Sequence, residues 1–264
     1  MESRIKTISI ALKELDVNQP DFRAKKEQLV TEWEKERELI ALRNRCINSG
    51  LPINELKKAG FNRWKSNNNI EADFQRLAWN YALKISGNNS TANCSNHGNI
   101  VVSGKSGTGK TFAAASIIKY LASTKKPPVM IAKHNIASDV WEDVPLDIQS
   151  YRQSYYTKAS RIVDVAQDRN NFEAKHDLKI GANKSDFVVI DEIGRSLQPR
   201  IEREMIFDIL DYRADVGLPT MLISNLEDEE LRDHLGSAIM SRLIADCIYF
   251  NTTGIADRRI SNAE

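Results

Sequence analysis

The sequence predicts an α/β fold in which a parallel sheet is flanked by helices and preceded by a small helical N-terminal domain. Three observations carry that prediction. From Asn99 onward, short apolar runs alternate with helical stretches. A glycine-rich loop, Gly104 to Thr111, joins the first apolar run to a helical one. Ahead of both, the segment from Asp21 to Asn48 is dense in Lys, Glu and Arg and sets its apolar residues, unevenly, on a helical period.

In chain order, that first long helix carries Leu29, Val30, Trp33, Leu39, Ile40 and Leu42, and it closes at Asn48-Ser49-Gly50 with Pro52 just beyond. Two readings of it stand: a solvated helix packed on its own protein, or a helix presenting Trp33 and its neighbours to a partner. The run Ser66-Asn67-Asn68-Asn69 reads as a loop, a helix comes next near Ala72 to Ile85, and the stretch from Gly87 to Gly98 is rich in Asn, Ser and Gly. Residues 1–70 are therefore expected to form a helical, partner-binding region, and residues 71–264 the main domain. Within that domain the strand candidates are Asn99 to Ser103, Val129 to Lys133, Phe187 to Asp191, Thr220 to Ser224 and Cys247 to Phe250. Near-continuous Val, Ile and Leu runs of this kind belong to parallel strands covered on both faces.

Composition narrows the classes of function. At 264 residues, 41% hydrophobic and 28% charged, the chain is that of a globular protein with an ordinary core, not a disordered one. A net charge of +1 means that any nucleic acid contact must come from a local basic patch rather than from the whole-protein field. The three cysteines, Cys46, Cys94 and Cys247, form no CxxC pair and suggest a reducing compartment. Cys94 and His97 have the spacing of half a zinc site, but no second ligand pair accompanies them. The first residues, MESRIKTISIALKELD, lack the apolar core and cleavage site of a signal peptide, and no stretch reaches the roughly 18 apolar residues of a membrane span. The expected location is the cytoplasm, with no membrane partner.

The loop Gly104-Lys105-Ser106-Gly107-Thr108-Gly109-Lys110-Thr111 matches GxxxxGK[ST] in its required strand-to-helix setting. Its glycines let successive amides turn inward, and the helix start adds partial positive charge, so the loop is suited to cradling phosphates. Lys110 is expected on the β- and γ-phosphates of ATP and the Thr111 hydroxyl on Mg²⁺. The run Phe187 to Ile190 then ends in Asp191-Glu192. Asp191 is the candidate for the Mg²⁺ shell, and Glu192 the candidate that polarises a water for attack on the γ-phosphate.

The residues beyond those motifs are more specific. After Asp191-Glu192-Ile193-Gly194 come Ile209-Leu210-Asp211-Tyr212-Arg213, Pro219 to Asn225, Leu235-Gly236 and Ile239-Met240-Ser241-Arg242-Leu243. This order resembles the DnaC-type helicase loaders and the related IstB-type transposition helpers, both AAA+ ATPases, and the likeness runs from Phe61-Asn62-Arg63-Trp64 to Arg259. The resemblance implies an AAA+ P-loop NTPase that associates with itself through its ATPase domains. It implies that Asn225 is a sensor touching the γ-phosphate or the attacking water, although Asn225 also stands where a helix N-cap is needed. It places Arg258 or Arg259 next to the nucleotide of the same subunit. Arg242 falls on the arginine finger that one subunit inserts into its neighbour's site; the competing reading is a helix-surface pair with Asp246.

Between the second and third strand candidates, roughly His134 to Ser185, lies a long insertion. In it Arg152, Tyr155, Tyr156, Lys158 and Arg161 interleave rings with basic side chains, a pattern suited to stacking on single-stranded DNA, or to a helix whose tyrosines pack on the domain. Together these features read as an ATP-dependent loader of a hexameric replicative DNA helicase onto single-stranded DNA. The alternatives are a transposition helper, against which Gly194-Arg195-Ser196-Leu197 counts because a Gly-Tyr-x-Pro run is expected there, and a nucleotide-switched adaptor with little turnover.

Overall fold

The computed structural model describes residues 2–15, 20–87, 98–126, 130–135, 140–145, 150–168, 170–244 and 247–258. The N-terminal helices are α1 (Glu2–Lys13), α2 (Phe22–Asn48), α3 (Ile53–Lys58) and α4 (Asn69–Ser86), with a 3-10 turn at Phe61–Arg63. Then come β1 (Asn99–Ser103), α5 (Lys110–Ser123), β2 (Met130–Asn135), β3 (Val140–Pro145) and β4 (Ser154–Lys158). The chain continues through α6 (Ala159–Gln167), α7 (Phe172–Lys184), β5 (Phe187–Ile193), α8 (Pro199–Asp215), β6 (Thr220–Ser224), α9 (Asp228–Ile244) and β7 (Cys247–Asn251). Among the described residues no helix is long and apolar enough to cross a membrane.

Five strands form one parallel sheet in the order β4-β5-β6-β1-β7. Alternation along each strand feeds two cores. Ile100, Val102, Val189, Met221 and Ile223 pack with Ala113, Ile117 and Leu121 of α5 and with Phe74 and Tyr81 of α4. Val101, Val188, Ile190 and Leu222 pack on the opposite face with Ile162, Ile206, Leu210, Leu231 and Leu235. Both faces being covered, β1 and β6 are buried throughout, which is why their sequences are apolar without interruption.

The second strand differs from expectation. The segment predicted as Val129 to Lys133 lies, from Met130 on, in an antiparallel ribbon with β3, in which Met130 faces Pro145 and Asn135 faces Val140. The place beside β5 is taken by β4, whose Tyr155 sits opposite Val188 and Tyr156 opposite Val189. Tyr and Thr favour a pleated, half-buried surface, and the interleaved Arg and Lys of this stretch concealed a strand. Cys94 and His97 lie outside the described residues.

The boundary at residue 70 does not coincide with a break in packing. Cys46, Leu51, Leu56, Ala59 and Trp64 are buried in the same core as α4 and α5. Backbone and side-chain bonds reinforce the join: Arg45 Nε donates to Ala122 O at 2.7 Å, Lys119 Nζ to Ala59 O at 3.1 Å, and Gly60 N to Ser116 Oγ at 3.0 Å. The α2 helix stops at Asn48 as predicted, and Gly50 takes a left-handed φ of +82° that a side chain resists. Toward its other end α2 holds α1 through buried Ile8 and the pair Arg4 to Glu32 at 2.6 Å. Trp33 is half-buried, with the Arg37 guanidinium 4.5 Å from its ring centre.

Arg213 of α8 is fully buried and knits three elements together. It donates to Thr220 Oγ1 (2.9 Å), Ala182 O (2.7 Å), Ser185 O (2.9 Å) and Pro219 O (2.6 Å), and burial lowers its pKa to about 10. Replacing it leaves several buried carbonyls without donors. Arg213→Ala is expected to lower unfolding free energy by about 3 kcal/mol, read by urea denaturation; a loss under about 1 kcal/mol refutes the hub.

Candidate nucleotide-binding site

Parallel pairing lines up the C-terminal ends of the strands, so Ser103, Lys158, Asp191, Ser224 and Asn251 all reach one edge of the sheet. The phosphate loop leaves β1 at this edge and runs into α5. Gly107 (φ +83°) and Gly109 (φ +92°) take the left-handed conformations that turn the loop back on itself. Lys110, 5% exposed, curls under it: Nζ donates to Gly104 O and, at 2.6 Å, to Lys105 O. An ammonium held by carbonyls at the centre of such a loop is placed to exchange them for phosphate oxygens. Thr108 is buried, its hydroxyl 2.9 Å from that of Thr252, while Ser106 and Lys105 stand at the outer turn.

Asp191 is 3% exposed and fully engaged. Its Oδ2 accepts from Thr111 Oγ1 at 2.8 Å and from the Tyr156 hydroxyl at 2.9 Å, and its Oδ1 from Glu192 N at 2.7 Å. A carboxylate and a hydroxyl meeting beside a phosphate loop are the hard oxygen donors that Mg²⁺ takes, so the residues present fit that ion. Glu192, one residue on, has φ +60°, a strained value for a residue with a side chain, and the β5 register to β6 shifts across it. Its carboxylate is tied to Lys158 Nζ (3.0 Å) and Arg195 Nη1 (3.5 Å). Burial, followed by the Asp191 charge, pushes the Tyr156 phenol well above its ordinary pKa.

The segment after β7 closes the site from the other side. Thr252 N donates to Ser103 O (2.9 Å), Arg258 N to Gly107 O (3.1 Å), and the Asp257 carboxyl lies against Gly107 so closely that a Cβ there would collide with it. The Arg258 side chain passes Gly109, pairs with buried Glu71 at 3.1 Å and lies 5.5 Å from the Trp64 ring centre. Arg258 is thus beside the loop; Arg259 lies outside the described residues.

Asn225 comes directly after β6 and is half-buried, but α9 starts only at Asp228, so Asn225 is no N-cap; Glu230 Oε2 accepts from Glu227 N at 3.1 Å there instead. Asp228 went unnoticed in the sequence because it sits in the acidic run Glu227-Asp228-Glu229-Glu230. It accepts from Ser103 Oγ (2.7 Å), Tyr249 OH (2.8 Å) and Asn251 Nδ2 (2.6 Å), bracing the ends of β1 and β7. Burial opposes its ionisation, yet these donors hold it below the usual carboxylate range. Helix α9 breaks at Gly236 (φ +77°, ψ +168°), and Arg242 lies on its second half. Arg242 pairs with Asp211 of α8 and keeps 48% of its side chain exposed; Asp246 lies outside the described residues.

Of the residues expected on single-stranded DNA, Tyr156 is buried under the sheet edge, so its ring is not presented for stacking, while Tyr155 is half-buried with its ring against Gly181 of α7. Arg152 is turned to Ser86 O (3.3 Å) and Asp186, and Lys158 to Glu192. Arg161 is exposed. The burial of Tyr156 does not fit the stacking role expected for it, because its strand is part of the sheet.

The strain at Glu192 has a measurable consequence. Glu192→Gly removes the side chain that resists φ +60°, whereas Glu192→Gln keeps it. The glycine variant is expected to be the more stable of the two by about 1 kcal/mol in calorimetry, and a less stable glycine variant contradicts the strain.

No family model matches the chain. Among curated proteins it is 27% identical over 177 residues to the replicative helicase loader DnaC of Buchnera aphidicola subsp. Acyrthosiphon pisum, covering 67% of this chain and 61% of that protein. It is 27% identical over 148 residues to DnaC of Escherichia coli strain K12, covering 56% and 51%. The chain therefore spans between half and three-fifths of the length of these relatives. Among solved structures, DnaI superposes with a TM-score of 0.54 at 19% identity, over 79% of this chain and 94% of that one. The DnaC helicase loader superposes with a TM-score of 0.50 at 13% identity, over 73% and 96%. The chain is similar in sequence to the DnaC replicative helicase loaders, and its five-stranded sheet with flanking helices is the AAA+ fold of the DnaI and DnaC structures.

Proposed function

We propose that the chain is an ATP-dependent loader of a hexameric replicative DNA helicase onto single-stranded DNA. The observation that carries this reading is the meeting of Lys110, Thr111, Asp191 and Glu192 at one sheet edge, in a chain whose curated relatives are helicase loaders. Loop amides and Lys110 bind the triphosphate, and Thr111 with Asp191 holds Mg²⁺. The ion neutralises charge on the phosphates. Glu192 orients the attacking water and Asn225 senses the γ-phosphate from the end of β6, while Arg258 approaches from the segment after β7. Lys158 and Arg195 both pair with Glu192 Oε1 and restrain the direction in which the carboxylate points, and turnover by a lone chain is slow. That same restraint favours a second reading, a nucleotide-switched adaptor in which binding alone sets the assembly state.

Self-association enters through Arg242. A half-exposed guanidinium paired with a surface carboxylate, Asp211, exchanges that partner readily, because exposed pairs are worth at most about 1 kcal/mol. Inserted into a neighbour's site it stabilises the charge of the transferring phosphoryl group. The helicase is gripped by the N-terminal helices α1 and α2. Contact with single-stranded DNA is part of the loader reading and does not depend on Tyr155 or Tyr156.

Purified chain is expected to capture the hexameric helicase of its own host in an ATP-dependent pull-down, and Lys110→Ala to lose both nucleotide binding and that dependence. Tight duplex binding with no helicase captured overturns the loader. In a mixing assay, Arg242→Ala and Glu192→Gln chains, each inactive alone, recover a measurable fraction of ATPase when combined. Unchanged turnover in Arg242→Ala alone refutes the finger.

A further inference from the structure

Tyr156 joins two places that the sequence keeps far apart. Its hydroxyl donates to Asp191 Oδ2 at 2.9 Å, the oxygen that also accepts from Thr111. Its backbone N–H donates to Ser49 O, the residue that ends α2, at 2.6 Å. Gly50, next along, packs so close to the Tyr156 carbonyl that an added Cβ would lie 2.7 Å from that oxygen. Ser49 is itself braced, its hydroxyl donating to Cys46 O at 2.6 Å. The edge strand β4 is thus fastened to the α2 exit by its backbone and to the metal carboxylate by its side chain.

We propose that Tyr156 is a positioning residue for the Mg²⁺ carboxylate Asp191, and that its own position is set by the α2 exit at Ser49-Gly50, which makes the metal site responsive to α2. The geometry supports this because the donors on Asp191 among the described residues are the Glu192 amide on Oδ1, and Thr111 and Tyr156 on Oδ2. Thr111 can face an ion with an oxygen lone pair while its O–H still donates to Oδ2, so of the two side-chain donors on that oxygen Tyr156 is the one with no role as a ligand, and its task is to orient the carboxylate. Groups that hold a ligating carboxylate in place typically affect metal affinity about 10- to 100-fold. The inference rests on the nucleotide-site reading above and adds to it a route from the N-terminal helices to the metal.

The test is a Mg²⁺ titration of a fluorescent ATP analogue bound to the full chain, paired with the analogue's affinity in EDTA and with a melting curve. In Tyr156→Phe the Mg²⁺ concentration for half-saturation is expected to rise about tenfold while the affinity in EDTA stays that of the wild type. Gly50→Ala, remote from the nucleotide, is expected to move the Mg²⁺ requirement in the same direction. An unchanged Mg²⁺ requirement in Tyr156→Phe, or an equal loss with and without Mg²⁺, overturns the positioning role. A folded Gly50→Ala chain with wild-type Mg²⁺ dependence overturns the link to α2. If wild type and Lys110→Ala bind the analogue equally, the nucleotide site itself fails, an outcome distinct from either.

Discussion

The constraint on which the rest of the structure depends is that the central strands of the parallel sheet, β1, β5 and β6, must bury both faces. Alternate residues of β1, β5 and β6 go to opposite cores, one built on α4 and α5 and the other on α6, α8 and α9. Polar chemistry is then excluded from the body of the sheet and confined to the strand ends, where a ligand meets aligned termini and the loops leaving them. The phosphate loop, Asp191 and Asn225 share an edge for this reason. Arg213 is the exception that the same constraint demands: a buried cation that satisfies the carbonyls of Ala182, Ser185 and Pro219 where the end of α7 meets the turn into β6.

Segments remote in sequence converge on that edge. The N-terminal region reaches it through Ser49 on Tyr156 and through Glu71 on Arg258, and the segment after β7 reaches it through Thr252, Asp257 and Arg258. Glu71 has a second task, since it also accepts from Asn67 N at 2.8 Å at the start of α4. Both the N-terminal helices and the segment after β7 are thereby tied directly to the edge that carries the phosphate loop. The helices that precede the sheet are part of the machinery that shapes the site rather than an appendage to it.

The charged groups with the sharpest expected roles are all paired within the single chain: Glu192 with Lys158 and Arg195, Arg242 with Asp211, Arg258 with Glu71. The pairs differ in burial, and that difference orders them. Arg242 and Asp211 are both substantially exposed, so water and salt screen their attraction and little is lost on exchange. Glu71 is 1% exposed, and withdrawing Arg258 from it would leave a buried carboxylate short of a donor, so Arg258 is the fixed cation and Arg242 the one able to change partners.

By itself the sequence determined the strand-loop-helix of the phosphate site, the Asp191-Glu192 pair, most strands and the stop of α2, because these depend on local chemistry: glycine conformation, apolar runs and caps. Tertiary structure decided what depends on contacts between distant residues. Tyr155 and Tyr156 looked like a stacking surface because aromatic and basic residues alternate there, and only the tertiary structure shows that they form a strand of the sheet, with Tyr156 buried and Tyr155 half-buried against α7. Asp228 was hidden in an acidic run, and its role comes from Ser103, Tyr249 and Asn251, which no local pattern links to it. The choice of Asp211 as the partner of Arg242 was equally out of reach, since α8 and α9 meet only when both cover the same face of the sheet.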